Sequence, residues 1–376
     1  MKTAFLLGLS ICCTSLAANE VALESNTTAP FSQGWMDDFR SGELNCAGPA
    51  EYPYEWRQAG YGSNINFLLL AWANARAKGN SDVAVIVNKD TLFARTACYV
   101  ASGGVEARGG WHCIFSDMPH LCAFDTKQDW DIYNQQHGLL QTKHYSAFKR
   151  STYIALKEEM KTVYPTLEPG NNGIVDILAK LYDYINSYLQ PWFKADVQAL
   201  LDQPDIAAAR KGNYVGMHIR RTDKQVFDRA KFVPTEKYFQ NAAEYLENAA
   251  GGLRATNISG LWLSTDEEAV FDEAKSLAPK YFPNIKPEAI VFVTGRVPVR
   301  SMVTGGSIEG TADRNTYEAM VLLRLELQML ADADVFSGTF SSNLGRVVFL
   351  MRHTLNKPKQ SALSGDAPAW RPGRRQ

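Results

Sequence analysis

The chain has 376 residues, 45% of them hydrophobic and 21% charged, an ordinary globular composition. A chain this long outgrows one core, so two domains are expected. The formal net charge of −1 excludes a global electrostatic pull toward nucleic acid or anionic membranes, so any anion must be held by a local site.

Residues 1–17 read as a signal peptide. Lys2 supplies the positive end, Phe5 to Leu16 a short apolar stretch, and Ser15 and Ala17 the small residues before a cleavage point. The stretch is short for a membrane span, and an uncleaved anchor is the alternative. The chain is therefore expected in the secretory pathway, in the Golgi or ER lumen or secreted. Cys12 and Cys13 would leave with the signal, and Cys46, Cys98, Cys113 and Cys122 would remain to form two disulfides. The rival is a zinc site from His112, Cys113, His120 and Cys122, but the spacing is not of the CxxC kind and adjacent ligands are awkward. Asn26 and Asn257 stand in glycosylation sequons, which fit that route.

Residues 18–45 are polar and read as irregular. At "GYGSNINFLLLAWANARAKG" (60–79) a glycine turn enters an apolar helix, and "DVAVIVNKD" (82–90) is a buried strand. Residues 98–128, rich in Gly, Cys and aromatics, read as a stapled loop. Residues 146–201 are mainly helical, broken at Pro165 and Gly170–Gly173, and the last helix kinks or starts at Pro191. Domain one is thus 18–204.

A second unit, 205–360, alternates strand and helix. "YVGMHIR" (214–220) is a strand, and 235–250 is a helix capped by Thr235. Residues 260–278 are a strand then a helix capped by Thr265 or Asp266, and 289–295 is a strand. Residues 315–333 are a helix, and 334–354 a strand, a turn and a helix. This order predicts a doubly wound parallel sheet. Residues 361–376 read as a flexible tail.

Ligands of such sheets bind beyond the carboxyl ends of the strands. Three strand ends here carry polar residues: His218 with Arg220 to Lys224, Ser264 to Glu267, and Thr339 to Asn343. The third opens a helix, whose N–H groups can point at an anion, and arginine forks suit a phosphate or diphosphate. Singly these are ordinary features: surface charge, a normal helix start and a helix cap. Their placement on one sheet edge is what points to a site. Metal signals are poor. Asp332–Ala333–Asp334 has the D-x-D pattern, but it joins a helix to a buried strand, where polar residues are expected anyway.

"VGMHIRRTDK" resembles the arginine motif of the α1,6-fucosyltransferases, the group of core N-glycan and rhizobial chitooligosaccharide fucosyltransferases. "GYGSNINFLLLAWANARAKG" is similar to the family's glycine-tyrosine-glycine loop, "GGWHCIF" to its aromatic loop, and "QPWF", "LWLSTDEEAVFDEAK" and "ADVFSGTFSSNLGRVVFLM" to blocks that follow in the same order. The resemblance covers about residues 44–355. It implies a GT-B-like fold of two facing α/β domains, the C-terminal one Rossmann-like. It implies an inverting transfer of L-fucose from GDP-fucose, with no cofactor and no metal. The acceptor would be an oligosaccharide or glycoprotein, most simply the core GlcNAc of N-glycans through an α1,6 linkage.

By the same resemblance Arg220 and Arg221 hold the β-phosphate, helped by His218 and by the loop Gly60, Tyr61 and Gly62. Asp266, Glu267 and Glu326 fall at nucleoside contacts, and Ser341, Ser342 and Asn343 cradle the diphosphate end. Asp228 stands at the base position, where the family has Glu, with Lys224 to orient it. Glu326 stands where the family has Asp, and Gly338 and Leu344 replace two cysteines. The implied disulfides are Cys46–Cys122 and Cys98–Cys113. The family's animal members add an SH3-like domain, for which this chain ends too soon. Two alternatives stay open: a protein O-fucosyltransferase, and a non-catalytic nucleotide- or glycan-binding relative. Partnership with nucleic acid is not expected; a homodimer is left open.

Overall fold

The protein's structure is a computed structural model. It describes residues 52–56, 61–76, 83–87, 113–116, 118, 121–124, 172–221, 232–248, 253–286, 289–292 and 317–366, with a few isolated positions between 128 and 136. Structural statements below concern these residues.

The first strands among the described residues are three short parallel ones: β1 (Tyr52–Trp56), β2 (Val83–Val87) and β3 (Leu121–Phe124), in the order β1-β2-β3. Only β2 was expected. Pro53 obscures β1 in the sequence, and it is tolerated because β1 lies at a sheet edge, where one N–H per pair is dispensable. Residues 121–124 lie inside the stretch read as loop; four residues are too few to show a period, and pairing with β2, Val83 opposite Leu121, supplies what local pattern does not.

Helix α1 (Tyr61–Arg76) takes Gly62, read from the sequence as part of a turn, into its first turn and buries Ile65, Leu68, Leu69 and Trp72. Helix α2 (Asn172–Ser187) and helix α3 (Pro191–Leu201) come next, the latter with proline at its first turn, where the missing N–H costs nothing. A further helix, α4 (Pro204–Lys211), repeats the device and was not anticipated. The junction of α2 and α3 holds the segment around Cys113: Gln190 N–H donates to Ile114 O at 2.8 Å, and Trp192 Nε1–H to Cys113 O at 3.1 Å. Cys113 is buried and disulfide-bonded, and the side chain of its partner lies outside the described residues.

The second half is built on β4 (Tyr214–Ile219), β5 (Gly260–Thr265), β6 (Ile290–Phe292), β7 (Val335–Gly338) and β8 (Ala362–Ser364). All pairs are parallel, in the order β6-β5-β4-β7-β8. This is the α/β, Rossmann-like order expected, with the direction of winding reversing between β4 and β7. Strand β8 corrects one boundary: Ala362–Ser364, assigned to the tail, is the edge strand of this sheet. Residues 367–376 lie outside the described set.

Helices α5 (Thr235–Asn248) and α6 (Ala269–Tyr281) cover one face of the sheet, and α7 (Tyr317–Asp332) and α8 (Asn343–Thr354) the other. Alternation along β4 explains the split: Val215, Met217 and Ile219 join the α5–α6 core, and Tyr214 the α7–α8 core. Arg352, 2% exposed, donates to Ala331 O at 3.0 Å and Asp334 O at 3.2 Å, so a buried cation sits where the α7 macrodipole is negative. Burial lowers its pKa to about 10, which leaves it charged at neutral pH.

The two sequence halves share one core. Ile65, Leu68 and Trp72 of α1 and Leu178, Leu181 and Ile185 of α2 belong to the same buried cluster as Val347, Val348 and Met351 of α8. The boundary expected at 204 therefore falls beside continuous helical packing. Polar ties reinforce it: Tyr317 Oη–H donates to Asp196 Oδ2 at 2.6 Å, and Arg324 Nη1–H to Tyr182 Oη at 2.7 Å. Asp176 on α2 receives His353 Nε2 at 2.5 Å and Lys359 Nζ at 3.3 Å. At the front, Asn66 Nδ2–H donates to Asn343 O at 2.9 Å.

Gly62 lies so close to α8 that a Cβ there would sit 2.9 Å from Leu344 N, against backbone that cannot swing aside. Gly62→Ala is expected to lower stability by about 1–3 kcal/mol, the usual overpacking range, in urea denaturation. An unchanged midpoint would show that the α1–α8 junction is not held this closely.

Candidate active site

Register places the strand ends level. His218 of β4 is opposite both Ser264 of β5 and Gly338 of β7, and Gly338 is opposite Ser364 of β8. Four strands therefore release their chains at one edge, and the residues just beyond are Arg220 and Arg221, Asp266 and Glu267, Thr339 to Ser342, and Gly365 and Asp366. The first three groups are those the sequence singled out. Lys224, Asp228 and Gly60 lie outside the described residues, as does the side chain of Tyr61.

The arginine pair diverges. The Asp266 carboxylate accepts Arg221 N–H at 2.9 Å through Oδ1 and lies 3.2 Å from Arg220 Nε through Oδ2. Arg220 keeps a side chain 34% exposed. Arg221 is 5% exposed and turns into the fold. Its Nη1 and Nη2 donate to Glu273 at 2.9 and 2.8 Å, a two-point pairing; Nη2 also donates to Thr235 Oγ1 at 2.6 Å, and Nη1 to Glu267 Oε2 at 3.3 Å. Its guanidinium lies 4.8 Å from the Phe232 ring centroid. Burial opposes its charge, yet the hydrogen bonds and charges of Glu273 and Glu267 outweigh that and raise its pKa. Two roles change here. Thr235, expected as an N-cap, is the first helical residue of α5, and its hydroxyl serves Arg221. Asp266, offered as a cap of α6, is spent on the arginines, and Glu268 stands at the N-cap.

His218 is 3% exposed, and burial first, then the Arg220 charge, push its pKa down to about 4, so the ring is neutral at physiological pH. Its Nδ1 is buried with no hydrogen-bond partner among the described residues. Glu326 on α7 is also buried, and that burial pushes its carboxyl up to about 7 against the counter-effect of Arg220. Ser264 Oγ–H donates to its Oε1.

The turn 339–342 uses its own donors. Thr339 N–H donates to His218 O at 2.9 Å, and Ser342 N–H to Thr339 O at 3.1 Å. Phe340 N–H donates to Asp366 Oδ1 at 2.8 Å and Ser341 N–H to Asp366 Oδ2 at 3.2 Å. These N–H groups are thus committed to an internal carboxylate and to carbonyls at the entrance to α8, where Ser341, Ser342 and Asn343 were expected at the diphosphate end. Asn343 joins α8 to α1, its Oδ1 accepting from Arg346 Nη1 at 3.1 Å and from Asn66 Nδ2 at 3.3 Å. Thr339 Oγ1 is the hinge of the edge. It accepts Arg220 N–H at 3.0 Å, donates to His218 O at 3.2 Å and lies 2.8 Å from Tyr238 Oη, which must then be the donor.

Asp332 and Asp334 serve local joints: Asp332 Oδ2 pairs with Arg210 at 3.3 Å, and Asp334 Oδ2 accepts Tyr214 N–H at 3.0 Å. Sequence reasoning missed Glu273, Tyr238 and Asp366 as parts of the edge, while Thr339 was among the strand-end residues it named. The others reach the site from helices or a strand that only tertiary pairing brings near.

Two outcomes follow. Glu273→Ala leaves a buried guanidinium short of its main partner and is expected to lower stability by about 2 kcal/mol at neutral pH. Because the Glu273 carboxyl is held below its usual 4.5, chiefly by the Arg221 hydrogen bonds, that loss should fade as pH falls below about 4.5. Equal effects at pH 3 and pH 7 would contradict the pairing. Glu326 has the opposite sign. Its folded pKa is raised, so ionising it costs stability that is absent below about pH 4.5 and fully present above about 7. Glu326→Gln should therefore gain on the wild type by up to about 3 kcal/mol as pH rises through that window in denaturant titrations. A pH-independent difference would show the carboxyl to be unperturbed.

Residues 177–364, half of the chain, match the family model described as alpha-(1,6)-fucosyltransferase N- and catalytic domains. Among solved structures, the fucosyltransferase NodZ from Bradyrhizobium is 14% identical at a TM-score of 0.40, over 81% of this chain and 94% of that one. A variant of FUT1 from Arabidopsis thaliana in complex with GDP is 12% identical at 0.40, over 82% and 70%. POFUT1 in complex with GDP is 11% identical at 0.37, over 84% and 98%. On the strength of the family match, this chain belongs to the α-(1,6)-fucosyltransferase family and is a glycosyltransferase.

Proposed function

We propose that the chain moves L-fucose from GDP-fucose to a glycan with inversion at the anomeric carbon and without a metal ion, most simply to the core GlcNAc of N-glycans through an α1,6 linkage. The observation that carries this reading is the placement of Arg220 within the family-matched segment. It is half-exposed at the carboxyl end of β4, beside the point where the winding reverses. A diphosphate leaving group gains negative charge as the sugar–oxygen bond breaks, and a fixed guanidinium is suited to meet that charge.

In the proposed reaction the acceptor hydroxyl attacks the anomeric carbon from the face opposite the diphosphate. The new C–O bond forms as the bond to the β-phosphate oxygen breaks, and GDP departs with the bonding electrons. The hydroxyl proton passes to the Asp228 carboxylate, which Lys224 orients. Asp266 fixes the Arg220 Nε edge, and neutral His218 and Glu326 are buried behind it. Gly60 and the first residues of α1, Tyr61 and Gly62, close the site together with Ser341, Ser342 and Asn343 at the entrance to α8. The further elements of the reading are the signal peptide 1–17, action in the secretory pathway, and disulfides Cys46–Cys122 and Cys98–Cys113. The bonded state of Cys113 supports the last of these.

Incubation with GDP-fucose and a panel of core N-glycan and chitooligosaccharide acceptors in EDTA should release GDP and yield a fucosylated product whose linkage is read by NMR. No GDP release with any glycan acceptor would overturn the reading. Arg220→Ala should abolish transfer. Asp228→Asn should cut turnover by a factor on the order of a hundred or more while GDP affinity survives, the span expected for loss of a general base. Unchanged turnover would place the base elsewhere.

A further inference from the structure

Asp366 lies two residues beyond the family-matched segment, yet it reaches the centre of the strand-end edge. Its Oδ1 accepts Phe340 N–H at 2.8 Å and its Oδ2 accepts Ser341 N–H at 3.2 Å; the Ser364 hydroxyl adds a third bond to Oδ1 at 3.3 Å. Such carboxylate–amide bonds are stronger than neutral ones. The segment carrying it is itself fixed. Gly365 N–H donates to Gly338 O at 2.9 Å, continuing the β7–β8 ladder, and Asn241 Nδ2–H on α5 donates to Ser364 O at 3.0 Å. A side chain at 365 is excluded, because a Cβ would fall 2.2 Å from the Tyr238 ring. That ring's hydroxyl is the one bonded to Thr339 Oγ1.

Carbonyls of the turn are held from its other side. Arg346 Nε–H donates to Phe340 O at 2.9 Å, so Phe340 is gripped at both its N–H and its C=O. Next in the chain is Thr339, whose Oγ1 receives Arg220 N–H. A continuous set of bonds thus runs from the edge strand β8 through the turn to the backbone of Arg220. Beside it is His218 Nδ1, buried and without a partner among the described residues, an orphan that calls for a ligand on this edge.

We infer that Asp366 is a positioning residue for the diphosphate end of the donor site, acting through the turn 339–342 on Arg220. The inference rests on the GDP-fucose reading above. It gives the β8 segment a role that a flexible tail lacks. It also states why the turn donates to a carboxylate of its own: the anion is built in to fix the turn, and the ligand's charge is left to Arg220.

The test compares full-length wild type with Asp366→Ala and Asp366→Asn. GDP affinity is read by calorimetry, KM for GDP-fucose and for acceptor by kinetics, and protection of the Phe340 and Ser341 amides by hydrogen exchange. Asp366→Asn keeps the volume and one acceptor oxygen, so it serves if the alanine variant fails to fold. Expected are lost amide protection and a GDP Kd and donor KM raised about tenfold in Asp366→Ala, less in Asp366→Asn, with the acceptor KM unchanged. Folded variants that lose stability but keep donor KM would overturn the inference in favour of a merely structural bond. Tighter GDP binding would overturn it too, since the carboxylate would then be competing with the diphosphate. Wild type that binds no GDP would overturn the GDP-fucose reading and this inference together, a result distinct from either of those.

Discussion

Two guanidinium groups on adjacent residues repel at close range in a partly desolvated setting, and the edge of the second sheet is organised around that problem. The Asp266 carboxylate solves it by taking one group from each residue, the Arg221 N–H and the Arg220 Nε. With the backbone held there, the side chains separate. Arg221 goes inward to the paired oxygens of Glu273 and to Thr235, while Arg220 stays at the strand ends. A buried charge of this kind adds little net stability beside an apolar substitute, but it is costly to leave unpaired. Its use is geometric: an inward Arg221 obliges its neighbour to face the other way.

The same logic governs the turn before α8. The open N–H groups of a helix entrance attract an anion, and here the protein supplies one, Asp366, from just past its own edge strand. Arg220 stays part-exposed at the strand ends, with His218 and Glu326 buried behind it. Burial, then the Arg220 charge, lowers the His218 pKa, and burial raises that of Glu326 against the Arg220 charge. The first half contributes Gly62 and Asn66, packed directly onto the first turn of α8, so the strand-end edge adjoins the junction between the halves.

Much of this was legible in the sequence, and the exceptions follow a rule. The α1, β2, β4, β5, α7 and α8 segments announce themselves because each is long or strongly apolar, and level parallel register then forces Arg220, Asp266 and Thr339 to one edge. β1, β3 and β8 are short edge or near-edge strands whose identity comes from pairing rather than from local pattern. Asp366 looked like part of a Pro- and Gly-rich tail because nothing local distinguishes a carboxylate in solvent from one on two amides. Arg221 and Arg220 were read as equals for the same reason. Which of two adjacent side chains turns inward depends on Glu273, on a different helix.

Under the proposed function, Arg220 rather than the pair meets the terminal phosphate of the donor nucleotide. Calorimetric titration of GDP and GMP into wild type and Arg220→Ala tests it most directly, because the two nucleotides differ only in that phosphate. Loss of two charge-assisted hydrogen bonds should weaken GDP about 100-fold in the variant while GMP affinity changes little, so the preference for GDP collapses. A variant that still prefers GDP over GMP as strongly as the wild type would contradict the account.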